Sequence, residues 1–248
     1  MKIIGMIPSR LNSQRLKGKA LLPICGIPLI AHVIFRAQLS KILDDLYLVT
    51  DSDEIASIGR ACNCKIIMTS SKHQTGSDRL GEAAEGFDAQ IIVNIQGDEA
   101  LVRPEHIDLS AEILLKNTHL GVSMLATKYT NKNNPSDIKI TLNSESEITQ
   151  FSRADLPLDI YNYSLKAYHL VSFRKQMLLK FCQLQQTSIE LKESIEYMRL
   201  LENEYKIGCA IVDSSAISVD TIEDLLSVSN IMKNDDLFTL YKDSLEKR

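Results

Sequence analysis

The chain has 248 residues, 44% of them hydrophobic and 24% charged, with 28 Lys plus Arg against 32 Asp plus Glu for a net charge of -4. That length is enough for a sizeable core in one large α/β domain, and the composition excludes both wholesale disorder and a membrane protein. The slightly acidic balance argues against nucleic-acid binding through bulk charge. The apolar run of the opening MKIIGMIPSR is short and is broken by Pro8 and Arg10. A secretory segment or a membrane span is therefore not expected there, and a cytoplasmic protein is. The five cysteines are scattered without a CxxC pair; Cys62 and Cys64 lie close but have no second ligand pair in reach.

In chain order, short apolar runs alternate with segments of helical period, the signature of βαβ units around a mostly parallel sheet. Ile3 to Ile7 reads as a buried strand. Leu29, Ile30, Val33, Ile34 and Ala37 form a helical stripe, and Leu46 to Val49 is the next strand. Asp51 or Ser52 can cap the helix that follows. Lys65 to Met68 is a third strand, Asp78 to Phe87 a helix, and Ile91 to Ile95 a fourth strand ending at Gln96-Gly97-Asp98, with Pro104 opening another helix. From Asn131 a polar loop leads into alternating stretches around Ile138 to Leu142 and Ile148 to Phe151, which predict a small antiparallel insertion. Leu191, Ile195, Met198 and Tyr205 follow a 3.6 period. Cys209 to Val212 reads as a strand, and Thr221 to Met232 as a helix with Ile222, Leu225 and Leu226 facing inward.

Two constellations carry chemistry. The loop after the first strand holds Arg10, Arg15, Lys17, Gly18 and Lys19 with Asn12, Ser13 and Gln14, at the strand edge where open α/β sheets bind ligands. Converging Arg and Lys suit a polyphosphate, although neither a Walker A nor a GxGxxG pattern is present, and solvated loop charges would look the same. The second is VNIQGDE, residues 93 to 99, which sets Asp98 at the end of a buried strand; Asp220 ends a short apolar run in SVDT, residues 218 to 221. Both carboxylates fit either a divalent cation bridging phosphates or a plain helix cap. The five histidines share no spacing: His32 reads as a helix residue, and His73, His106, His119 and His169 as surface or loop.

The motifs PSRLNSQRLKGKALLPICGIPLIAHV (8 to 33), MTSSKHQTGSDRL (68 to 80), VNIQGDEALV (93 to 102), FSRADLPL (151 to 158) and SVDTIEDL (218 to 225) stand in order over almost the whole chain. Together they closely resemble the 3-deoxy-manno-octulosonate (Kdo) cytidylyltransferases. The resemblance implies a Rossmann-like nucleotidyltransferase fold, with a mostly parallel central sheet, helices on both faces and a small antiparallel insertion. It also implies a homodimer that makes CMP-Kdo from CTP and Kdo with Mg²⁺, for lipopolysaccharide or capsule precursors. One domain over 1–248 is expected, with about 131–205 as an inserted sugar-binding and dimerisation region. By the same resemblance Arg10, Arg15 and Lys19 meet the triphosphate, and Gln74, Ser77 and Arg79 meet the nucleotide. Asp98 and Asp220 hold magnesium, and Gln96, Arg153 and Glu196, the last on a helix, approach the sugar acid. Lys19, Asp98 and Asp220 form the expected catalytic set.

Three departures stand out. Ser9 and Lys17 replace the family's Ala and Pro. The stretch after Ala154 is about ten residues short of the family's usual length, and no His-x-Gly-x-Tyr appears in it. Tyr197 follows Glu196 where the family commonly has Gln. The same residues also fit a cytidylyltransferase for another acid (an amino-substituted Kdo, another octulosonic or nonulosonic acid, a phosphonate) or a non-catalytic nucleotide-binding homologue.

Overall fold

Ile3, Ile4, Met6 and Ile7 are all buried, because the strand they build, β1 (Ile3–Ser9), runs through the middle of a sheet covered on both faces. The computed structural model describes residues 1–11, 15–73, 75–130, 134–157, 163–213 and 217–245. After β1 a two-stranded ribbon, β2 (Pro23–Ile24) and β3 (Ile27–Pro28), leads into α1 (Leu29–Ala37). Then come β4 (Asp45–Thr50), α2 (Asp53–Ala61), β5 (Lys65–Met68), α3 (Gly76–Glu85), β6 (Ile91–Ile95), α4 (Pro104–Lys116) and β7 (Val122–Tyr129). The second half supplies β8 (Lys139–Leu142), β9 (Ile148–Ser152), β10 (Ser164–Arg174), α5 (Lys175–Gln183), α6 (Ser188–Glu193), α7 (Met198–Glu202), β11 (Ile207–Ile211), α8 (Ile222–Met232) and α9 (Asp236–Tyr241).

The main path of the sheet has the order β11-β7-β10-β6-β1-β4-β5. Its neighbours are parallel, except that β10 is antiparallel to both β6 and β7. The hairpin β8–β9 attaches through β8 to β10, which is the antiparallel insertion anticipated from residues 138 to 151. Successive strand residues feed opposite faces: Ile3, Ile7, Val93 and Ile95 pack with α1 and α4 residues, and Ile4, Met6 and Ile92 with those of α3 and α5. Each such fully buried aliphatic side chain contributes on the order of 1.5–3 kcal/mol. Because Met6 lies opposite Asn94 in the parallel β1–β6 pairing, the two strands end in phase and deliver their following loops to one edge. No helix among the described residues is long and apolar enough to cross a membrane.

Three sequence expectations need correction. Helix α3 begins at Gly76, two residues early, because Thr75 caps it by accepting from the Asp78 amide. The stripe from Leu191 to Tyr205 is two short helices, since Ser194 takes the left-handed conformation (φ 54) and ends α6. On α8, Ile222 and Leu226 are 51% and 61% exposed; Val228 and Met232 are buried, with Leu225 packed against the same core. The 225-228-232 spacing is the helical face that meets the core, and the other two apolar residues lie off it.

Candidate active site

The loop from β1 closes on itself through Gly18, whose φ of 66 lies in the left-handed region that glycine adopts without a side-chain penalty. The Gly18 amide donates to the Leu11 carbonyl, and a short 3-10 turn then carries Lys19. The Lys19 ammonium donates to Asp98 Oδ2 at 2.6 Å, to Asp220 Oδ1 at 3.0 Å and to the Val219 carbonyl at 3.0 Å. Burial works to lower the pKa of Lys19, but the charges and hydrogen bonds of Asp98 and Asp220 outweigh it and hold the pKa above the ordinary lysine value. Arg15 reaches the other oxygen of Asp220 at 2.9 Å while staying 61% exposed.

Neither carboxylate caps a helix. Asp98 sits in the turn after β6, well before α4, and the Val219 amide donates to its backbone carbonyl at 3.1 Å, which ties the two acidic segments together. That turn needs Gly97, since a Cβ there would stand 2.7 Å from the Pro8 carbonyl oxygen. The cap of α8 is Thr221, in a reciprocal capping box with Asp224, and Asp220 contributes only its amide, donated to Asp224. The side chain of Asp220 is thereby left to Lys19 and Arg15. Behind Asp98, the buried Glu99 accepts from Ser218. Burial, reinforced by the Asp98 charge, pushes the Glu99 carboxyl up to about 7.

Among the described residues no group of three or more His, Cys, Asp or Glu could hold a metal ion. Two carboxylates nonetheless fit Mg²⁺ in a nucleotide site, where one or two protein carboxylates, waters and phosphate oxygens share the coordination. Asp98 and Asp220 are the residues that would hold it.

Three cavities meet at this edge, and Gln96 lines all of them. The first, about 260 Å³, is walled by Arg10, Arg15, Lys19, Arg79, Asp98 and Asp220, which concentrates positive charge over the two carboxylates. The second, about 450 Å³, is bounded by Arg153, His169, Glu196 and Tyr197. The third, about 420 Å³, joins Asp98 and Asp220 to Lys166, Arg153 and His169. Arg10, Arg15, Lys19, Arg79, Asp98, Asp220 and Gln96 are thus brought together, with Arg153 and Glu196 in the adjoining space. Ser77 is fully buried, lines none of these three cavities and donates to Glu196 Oε1 at 2.7 Å. Arg79 is 3% exposed and spends its guanidinium on Thr69 Oγ1 at 2.6 Å and Asp51 Oδ2 at 3.0 Å. Gln74 lies outside the described residues.

A profile described as cytidylyltransferase matches residues 4–207. The 3-deoxy-manno-octulosonate cytidylyltransferase of Chlorobium phaeobacteroides is 35% identical over 94% of this chain and 98% of its own length. Its counterpart in Geotalea daltonii is 34% identical over 94% and 99%. Among solved structures, a CMP:2-keto-3-deoxy-manno-octonic acid synthetase complexed with CTP superposes with a TM-score of 0.89 at 30% identity, covering 94% of this chain and 99% of that one. The chain belongs to the 3-deoxy-manno-octulosonate cytidylyltransferase family.

Within this family frame Arg153, which lines the second and third cavities, is committed to the protein. Arg153 donates Nε to the Glu193 carbonyl at 2.6 Å, Nη1 to the carbonyls of Pro135 and Ser136, and Nη2 to that of Ser194 at 3.1 Å. It clamps two backbone segments, 135–136 and 193–194, into one wall. Glu196 is not on a helix but in the turn before α7, and burial raises its pKa against the opposing hydrogen bond from Ser77. Tyr197 stacks on Phe181 with ring centroids 6.2 Å apart, so it contributes to the core as well as to the second cavity.

Reading the histidines as surface or loop fails at two positions. His106 is a buried residue of α4, and His169 is a half-buried residue of β10 that lines both the second and third cavities. The signal that could have exposed His169 is the run Ser164 to Arg174, whose apolar residues on both faces read as an interior strand.

Proposed function

We infer that this chain transfers CMP from CTP to 3-deoxy-manno-octulosonate with release of pyrophosphate. The observation that carries the reading is the convergence of Lys19, Asp98 and Asp220 at the edge where β1 and β6 end, in a chain of this family. The 2-hydroxyl of the sugar acid attacks the α-phosphorus in line, a P–O bond to it forms as the bond to pyrophosphate breaks, and the hydroxyl proton passes to solvent. Little covalent chemistry is asked of the protein. Lys19, Arg10 and Arg15 hold the phosphates and stabilise the charge that grows on the leaving pyrophosphate. Gln96, where the three cavities meet, orients the acceptor beside the α-phosphate, and Arg153 keeps the acceptor wall rigid. Mg²⁺ held by Asp98 and Asp220 would neutralise phosphate oxygens.

A homodimer, a cytoplasmic setting and a role in lipopolysaccharide or capsule precursor synthesis belong to the same proposal and rest on the family resemblance. The experiment is incubation with CTP, Kdo and Mg²⁺, with products read by mass spectrometry. The reading expects one CMP-Kdo per pyrophosphate; consumption of CTP without that adduct, or no consumption, overturns it.

A further inference from the structure

The pairing of β10 with β6 sets Leu170 opposite Ile95, so His169 stands where β6 gives way to Gln96. On its other side the register of β10 with β7 slips between Tyr168 and Val171. Such a bulge twists the strand and re-aims the residues within it, and bulges are over-represented beside active sites. Here the slip contains His169, which borders the second and third cavities together with Gln96 and Arg153. Its Nε2 is buried and, among the described residues, has no hydrogen-bond partner.

The two neighbouring cations are already engaged. Arg153 is spent on backbone carbonyls, and Lys166 pairs with Asp137 at 3.1 Å. Burial, more than the Lys166 and Arg153 charges that reinforce it, lowers the pKa of His169, against the opposing pull of Asp98 and Asp220. A neutral imidazole pairs with an oxygen through whichever role the other ring nitrogen leaves to Nε2. A buried polar atom left without a partner costs free energy that a ligand oxygen recovers on binding.

We propose that His169 is a specificity-determining residue of this chain, hydrogen-bonding an oxygen of the sugar-acid acceptor through Nε2. This rests on the functional reading above, in which the acceptor occupies the cavities next to Gln96. The contact lies on the acceptor side, so it acts on acceptor affinity and leaves CTP binding alone.

The test is steady-state kinetics of wild type, His169→Ala, His169→Asn and His169→Gln with CTP and Kdo, each variant first checked by thermal melting. His169→Ala is expected to raise the KM for Kdo by at least about tenfold while the KM for CTP stays within about twofold, and Asn or Gln is expected to recover part of the loss. A Kdo KM within about twofold of wild type in His169→Ala, a CTP KM that rises in step with it, or Asn and Gln variants no better than Ala would overturn the proposal. Should His169→Ala fail to fold, the same comparison of KM values in the Asn and Gln variants decides it. Wild-type protein that makes no CMP-Kdo would overturn the functional reading and this inference with it, whereas an active wild type with an unaffected His169→Ala overturns the inference alone.

Discussion

Lys19 and Asp98, 79 residues apart in sequence, meet at 2.6 Å across the ends of β1 and β6. The contact joins the basic loop to the acidic turn, so one ammonium serves both carboxylates. Lys19→Ala is expected to cost about 2.7–4 kcal/mol of transition-state stabilisation, or roughly 10²–10³ in kcat, if the ammonium acts as a preorganised donor to developing charge. Steady-state pyrophosphate release measures it, and a fully active variant would remove Lys19 from the mechanism.

Asp98→Asn and Asp220→Asn separate a cation-holding role from a capping role. Since Thr221, not Asp220, caps α8, both Asn variants should melt near the wild-type temperature and lose turnover. Thr221→Ala should instead lower stability by about 0.5–2 kcal/mol, the usual cost of a lost cap. A large fall in melting temperature in Asp220→Asn would place the residue in the scaffold. Turnover that Mg²⁺ fails to stimulate in the wild type would remove the cation from the mechanism.

The stability of the fold carries its own pH signature, far from the phosphate loop. His32 is fully buried; Nε2 lies 2.8 Å from the Ile24 carbonyl and Nδ1 3.0 Å from the Tyr241 hydroxyl, to which Arg36 Nε also donates. Burial is the main cause that drops its pKa from 6.5 to about 4. The unfolded chain therefore binds the proton first, and stability present above pH 6.5 is lost as pH falls toward 4. The contribution is on the order of 3 kcal/mol over that window. Urea melts between pH 7 and 4 check this, and His32→Gln should flatten the slope; an unchanged slope in that variant would assign the acid sensitivity elsewhere.

Much of the scaffold was legible because buried parallel strands announce themselves as short β-branched runs. Ile91 to Ile95 carries the bounds expected of such a buried strand, Lys65 to Met68 carries its expected bounds as a partly exposed edge strand, and Pro104 opens α4 as proline at a first helical position should. Helix ends were less legible, because caps such as Thr75 and Thr221 depend on side-chain geometry that apolar periodicity does not encode. The meeting of Lys19, Asp98 and Asp220 was readable, since each follows a strand or apolar run and the topology gathers those ends. The other expected contacts were not. Arg79, Arg153 and Ser77 have the residue types of ligand contacts, yet their polar atoms turn to Asp51, to backbone carbonyls and to Glu196. His169 was missed because a bulge, which no spacing predicts, aims it at the cavities.

Cytidylyl transfer to Kdo is measured by kcat/KM from pyrophosphate release over a matrix of nucleotides and acids. CTP, UTP, ATP and GTP are each paired with Kdo, its 8-amino analogue and other 2-keto-3-deoxy acids. CTP with Kdo is expected to stand at least about tenfold above every other pair, because buried hydrogen bonds discriminate strongly against a base or acceptor that leaves them unpaired. Comparable values for UTP and CTP, or another acid turned over as well as Kdo, would contradict it.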